Sequence, residues 1–227
     1  MKLYGALASP YVARVAMFAA LKGIDLPMES APGGMGSDEY KALNPIGKIP
    51  SLEVDGRCIA ESEVICEYLE AAYPEPALLP PDPLGQAQSR MISRMTDLYV
   101  APHNTPLTRM RGSGERDQAI IDKGAEEFAK AFSYIEHFMG PGPFAVGDAP
   151  TIGDCALTPF IVMLKRTVFP HFDEVQDPTE AGGRLTTWWQ AIQAHPGCSK
   201  AADEYDQALE EFLKWLWDML AKRNAAS

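Results

Sequence analysis

Between residues 74 and 83 the chain reads Pro74-Glu75-Pro76-Ala77-Leu78-Leu79-Pro80-Pro81-Asp82-Pro83, and five of these ten residues are proline. Each proline fixes φ and has no N–H to give, so the stretch can be neither regular helix nor central strand. Any fold has to divide there. Before it, short strand-like and helix-like pieces alternate; after it, long helix-periodic stretches dominate. The 227 residues are long for one compact domain and comfortable for two.

In the first part, Lys2 to Gly5 reads as a short strand. Pro10 suits the first turn of a helix that carries Val12, Val15, Ala16 and Ala19 on one face and stops at Gly23. Leu26 to Glu29 is a candidate second strand. The glycines of Pro32-Gly33-Gly34-Met35-Gly36 form a loop without the Gly-Lys-Ser/Thr ending of a phosphate loop. Ser51 to Val54 and Arg57 to Ala60 flank Asp55-Gly56, the residues a type I′ hairpin turn requires. A helix follows, with Val64, Ile65, Tyr68, Leu69 and Ala72 predicted on its inner face. This part is a small α/β domain.

The second part is almost all helix. Leu84 to Tyr99 is periodic, and Pro102 and Pro106 bend or break it. Asp117 to Phe138 is stopped by Gly140-Pro141-Gly142-Pro143. Thr151-Ile152-Gly153-Asp154 has the form of a capping box with Asp in the acidic position. Leu185 to Ala194 is predicted to end in a loop at His195-Pro196-Gly197. A last helix places Leu209, Phe212, Leu213, Leu216 and Leu220 at helical spacing.

The net charge of −11, with no block of Lys or Arg, argues against a nucleic-acid surface. The run Val12 to Leu21 is too short to span a bilayer. Met1-Lys2 and Ala6-Leu7-Ala8 imitate a secretory leader, but Leu3-Tyr4-Gly5 is too short for its apolar region. Cys58, Cys66, Cys155 and Cys198 are scattered without metal-ligand spacing. They read as reduced thiols of a cytoplasmic protein with no metal site.

Ser9 stands directly before Pro10, and its local reading is an ordinary helix N-cap. It is also one of four motifs that together resemble the cytosolic glutathione transferases. They are Ser9-Pro10-Tyr11 with Arg14, Asn44-Pro45-Ile46-Gly47-Lys48-Ile49-Pro50, Glu61-Ser62, and Gly147-Asp148-Ala149-Pro150-Thr151-Ile152-Gly153-Asp154. Each motif alone is weak; their order over nearly the whole chain is specific. The resemblance implies a thioredoxin-like glutathione-binding domain over residues 1–78 and a linker over 79–86. It makes residues 87–227 an all-α helical bundle that forms the electrophile site.

The chemistry implied is making a thiolate from a tripeptide thiol. A free thiol ionises near pH 8.5, and lowering that by about two pH units takes roughly 2.7 kcal/mol. A hydroxyl hydrogen bond to a charged sulfur supplies about 1.5–3 kcal/mol, and a helix N-terminus about 0.3–1 kcal/mol. Ser9 is placed to offer both, as a hydrogen-bond donor rather than a nucleophile. Tyr4 is the rival, because some family members use a tyrosine of the first strand.

By the same resemblance Ile49-Pro50 is cis, and Ile49 pairs main chain to main chain with the cysteinyl part of glutathione. Lys48 approaches the glycyl carboxylate or is a solvated loop charge. Ser62, as N-cap of the next helix, meets the γ-glutamyl carboxylate, and Glu61 its ammonium. Two roles are open to Arg14: electrostatic support of the site, or an ion pair with the second domain. Tyr11 and Tyr99 are candidate walls of the electrophile pocket, which is expected between the domains. His103 could reach that cleft or lie on the helix bend, and segment 221–227 could cover it. The four tryptophans read as core and interface residues, and Met91, Met95 and Met110 as core.

A homodimer acting on glutathione and a hydrophobic electrophile is expected, with no membrane or nucleic-acid partner. Ala60 to Glu70 also resembles glutathione-dependent β-aryl etherases. Maleylacetoacetate isomerase is a further subtype, although its Ser-Ser-Cys-Ser run is absent. A non-catalytic binder of glutathione or hydrophobic ligands is the alternative of another class. A serine hydrolase is disfavoured, since no G-x-S-x-G occurs.

Overall fold

The computed structural model of the protein describes residues 1–113 and 116–225. A four-stranded sheet has the order β2-β1-β3-β4, with β1 Lys2–Tyr4, β2 Met28–Glu29, β3 Ser51–Val54 and β4 Arg57–Ala60. β1 runs parallel to β2 and antiparallel to β3, in a register that sets Leu3 opposite Leu52. β2 is shorter than the run Leu26 to Glu29. The β3–β4 turn takes positive φ at both Asp55 and Gly56, as a type I′ hairpin requires.

Helices α1 (Pro10–Leu21), α2 (Asp38–Leu43) and α3 (Ser62–Ala72) complete this part. Strand alternation puts Leu3 and Tyr4 on opposite faces. Leu3 joins the main core beside Val12, Val15, Phe18 and Ile65. Tyr4 lies edge-on to Tyr40 of α2. On α3 the buried residues are Ser62, Ile65, Cys66 and Leu69, whereas Val64 is 52% exposed, so the apolar stripe is narrower than its spacing suggests.

The helices that follow are α4 (Pro83–Met95), α5 (Ala101–Ser113), α6 (Gln118–Phe138), α7 (Ile152–Thr167), α8 (Arg184–Ala194) and α9 (Pro196–Ala225). Between α4 and α5 lies one π-helical turn, Thr96–Val100, in which Ala101 N–H returns to the carbonyl of Thr96. Pro102 follows immediately and has no N–H for an ordinary helical bond. The chain therefore widens a turn instead of breaking. His195-Pro196-Gly197 is not a loop: Pro196 opens α9, a position where its missing N–H costs nothing. Residues 226 and 227 of the candidate pocket cover lie outside the described residues.

α7 is the axis of the molecule, buried from Ile152 through Leu164. Asp154 at its start accepts from the N–H and hydroxyl of Thr151, from Ala145 N–H, and from the Trp188 indole, all within 2.7–2.8 Å. At Gly153 a Cβ would stand 2.9 Å from the Ser89 carbonyl oxygen, so only glycine lets α4 and α7 approach this closely.

The proline-rich segment is fastened down. Lys22 donates to Glu70 and to the Pro76 carbonyl, both at 2.7 Å, and Glu70 accepts from Leu78 N–H. The Leu78 carbonyl in turn accepts from Ile152 N–H. α1 packs on α7 and α9 as well as on α3, so one helix serves both parts of the chain.

Candidate active site

Where β4 meets α3, the backbone of Glu61 takes φ +66°, a region that L-residues other than Asn and Asp rarely enter. Glu61, not Ser62, holds the N-cap position, and its side chain makes no capping bond. Ser62 is the first helical residue, and its hydroxyl accepts from Arg14 at 3.1 Å. This differs from the expected Ser62 cap because the backbone leaves helical geometry one residue earlier, at Glu61.

Arg14 is fully buried and forms the ion pair with the helical part of the chain. Its guanidinium clasps the Asp97 carboxylate on the π-helical turn, with one nitrogen 3.0 Å from Oδ2 and the other 2.5 Å from Oδ1. The same group touches Ser62, so one side chain joins α1, α3 and the helical part. Burial is compensated by the ion pair, and the Nε atom of Arg14 alone has no partner.

The turn before β3 is braced from below. The Lys48 carbonyl accepts from the Tyr40 hydroxyl and the Asn44 amide, each at 2.9 Å, and Asn44 Oδ1 accepts from Ile46 N–H. This holds the loop that carries the cis Ile49–Pro50 bond. Between loop, hairpin and helices opens a cavity of about 230 Å3, lined by Tyr11, Asn44, Ile46, Lys48, Ile49, Pro50, Ala60, Glu61, Ser62, Arg94 and Asp97.

Six residues singled out from sequence thus meet around one space: Tyr11, Lys48, Ile49, Pro50, Glu61 and Ser62. Ser9 is not among the lining residues; it is the N-cap of α1, two residues before Tyr11, which lines the cavity. Its backbone is extended and its hydroxyl makes no capping bond, so the hydroxyl is not used by the helix it precedes. The Tyr11 ring stands edge-on to Phe160 of α7, under the guanidinium of Arg14. Burial, and then the Asp97 charge, push its phenol up, so it remains a hydrogen-bond donor at neutral pH.

Tyr4 and Tyr99 are not brought to this cavity. The Tyr4 hydroxyl donates to Glu53 at 2.7 Å, which raises its pKa. Tyr99 is 43% exposed and packs edge-on against Tyr134 of α6. His103 likewise stands against Phe128, 4.0 Å from Glu127.

Sequence reasoning gave no role to Asn44 and missed Arg94 and Asp97. Asn44 lay inside a quoted motif, but Arg94 and Asp97 sit on an unremarkable polar helix face three residues apart. Only tertiary structure, with α4 packed on α7 and Asp97 paired to Arg14 of α1, brings them to the site. A larger groove of about 490 Å3 between α7, α8 and α9 holds none of the residues named above. Its cations Lys165 and Arg166 are already paired with Asp177 and Asp206.

Burial pushes the Cys66 and Cys198 thiols up to about 12, and the Cys155 thiol well above its usual range. These three are not thiolates at neutral pH. Among the described residues, no group of three or more His, Cys, Asp or Glu is placed to hold a metal ion. No described helix is long and apolar enough to cross a membrane.

The chain matches the family model for the glutathione S-transferase N-terminal domain over residues 3–77 and that for the C-terminal domain over residues 118–196. It is 33% identical to a maleylacetoacetate isomerase of Pseudomonas aeruginosa over 209 residues, covering 86% of this chain and 96% of the relative. It is 28% identical to glutathione S-transferase 3 of Zea mays, over 88% of this chain and 92% of the relative. Among solved structures, a maleylacetoacetate isomerase from Anaeromyxobacter dehalogenans with glutathione bound in its active site superposes with a TM-score of 0.66. That pair is 28% identical, over 88% of this chain and 93% of the other.

Proposed function

The chain belongs to the glutathione S-transferase family, whose enzymes use glutathione, and from that premise we propose that Ser9 converts bound glutathione to a thiolate that attacks a hydrophobic electrophile. The observation that carries this is the hydroxyl of Ser9, left without a capping bond at the N-terminus of α1, two residues before Tyr11, which lines a cavity together with Lys48, Ile49, Glu61 and Ser62. The thiol proton leaves to solvent; the hydroxyl and the helix N-terminus then stabilise the sulfur anion. The thiolate forms a C–S bond, and a leaving group departs with the bonding pair.

The tripeptide lies along the Lys48–Pro50 turn, its cysteinyl main chain paired with Ile49. Its glycyl carboxylate lies toward Lys48 and its γ-glutamyl end toward Glu61 and Ser62. In this assignment residues 1–78 hold glutathione, 79–86 connect, and 87–227 hold the electrophile against Tyr11. The protein works as a homodimer in the cytoplasm, where its four free thiols stay reduced.

A second reading is isomerisation, favoured by the isomerase named above. There the thiolate adds to an activated carbon–carbon double bond, the resulting single bond rotates, and expulsion of sulfur regenerates glutathione.

The test is the thiolate absorbance of enzyme-bound glutathione against pH. The wild type is expected to ionise well below free glutathione, and Ser9→Ala to lose most of that difference. A difference that survives in Ser9→Ala removes Ser9 from the role. Binding without any difference in the wild type removes the proposed thiolate activation. Turnover of aryl halides, β-aryl ethers and cis-enoates then separates substitution from isomerisation.

A further inference from the structure

We infer that Arg94, on the exposed side of α4, is a glutathione-binding residue that reads the γ-glutamyl α-carboxylate. The inference rests on the proposal that the 230 Å3 cavity takes glutathione. Two observations carry it: the side chain lines the cavity, and it has no hydrogen bond or ion pair with any described residue.

The cavity holds five charged groups or direct partners of its wall. Arg14 and Asp97 neutralise each other. Lys48, Arg94 and Glu61 have no ion-pair partner among the described residues. Free glutathione carries two carboxylates and one ammonium, so two open cations and one open anion match it group for group.

Position decides which carboxylate Arg94 meets. Lys48 sits on the loop before β3, at the end assigned to glycine. Arg94 is one turn of α4 before Asp97, which is tied through Arg14 to Ser62 at the start of α3. It therefore stands at the γ-glutamyl end, where its planar fork can take two carboxylate oxygens while Glu61 takes the ammonium. Glu63, a half-buried carboxyl that feels the Arg94 charge, has its pKa raised by burial and makes no ion pair with Arg94.

Titration calorimetry on the full chain tests this with three ligands. They are glutathione, its glycyl ethyl ester, and the analogue with γ-aminobutyrate in place of γ-glutamate, which lacks the α-carboxylate. Arg94→Met should bind glutathione and the glycyl ester each about tenfold more weakly than the wild type does. Both proteins should bind the decarboxylated analogue alike, and Arg94→Lys should fall between for glutathione. Unchanged glutathione binding by Arg94→Met overturns the inference. So does a loss that persists with the decarboxylated analogue, or one that disappears with the glycyl ester. A wild type that binds none of the three overturns the glutathione reading itself.

Discussion

Tyr4 and Glu61 show what a single position can and cannot disclose. The rivalry between Ser9 and Tyr4 could not be read from sequence, because strand alternation fixes that Tyr4 and Leu3 oppose each other but not which faces the core. Tertiary packing decides which side chain faces the core, burying Leu3 against α1 and giving the Tyr4 hydroxyl to Glu53. Tyr4→Phe should leave the ionisation of bound glutathione unmoved and cost about 1 kcal/mol of stability, read from urea unfolding. Glu61 was legible as a candidate site residue but not as a strained one, since nothing in Glu61-Ser62 announces φ +66°. Strain of this kind costs about 1–3 kcal/mol, and glycine is free of it. Glu61→Gly is therefore expected to raise unfolding stability by about 1 kcal/mol while weakening glutathione binding. A variant that loses stability would place no strain at Glu61.

Among the elements, the β3–β4 hairpin, α1, α6 and the Thr151–Asp154 cap were legible because their signals are local: a turn dipeptide, a proline, a capping acid. The π-helical turn was not, because Pro102 and Pro106 are compatible with a break, a kink or a widened turn, and only packing chooses. The choice matters, since the widened turn carries Asp97 to Arg14. Arg14→Met removes one partner of a buried pair and should cost about 3 kcal/mol. It should also weaken glutathione binding, because Ser62 and Asp97 lose their common anchor. Native stability in this variant would mean that Asp97 finds solvent without help. Asp154→Ala should be at least as damaging to folding, about 3 kcal/mol or more. It leaves Ala145 N–H, Thr151 N–H and the Trp188 indole without their acceptor, and thermal melting of the purified variant measures it.

For the whole molecule, the change from a mixed sheet and helices to helices alone was legible, and the fastening of the proline-rich segment was not. Five prolines mark where regular structure stops, but Lys22, Glu70 and Ile152, which fasten the segment, are distant in sequence. Burial across the chain predicts its thiol reactivity. Cys58 is the one partly exposed cysteine, and Cys66, Cys155 and Cys198 are buried. A disulfide reagent should modify one thiol quickly in the native protein and the other three only on unfolding; two or more fast thiols would contradict the packing of α1, α3 and α7. The shared α1 and the fastened linker also give the molecule a built-in optical reporter. All four tryptophans, Trp188, Trp189, Trp215 and Trp217, belong to α8 and α9, while the cavity proposed to take glutathione is built mainly on the other part of the chain. Because the two parts are tied at α1 and at residues 76–78, indole emission followed on heating should register glutathione as a later melt of helices the ligand need not touch.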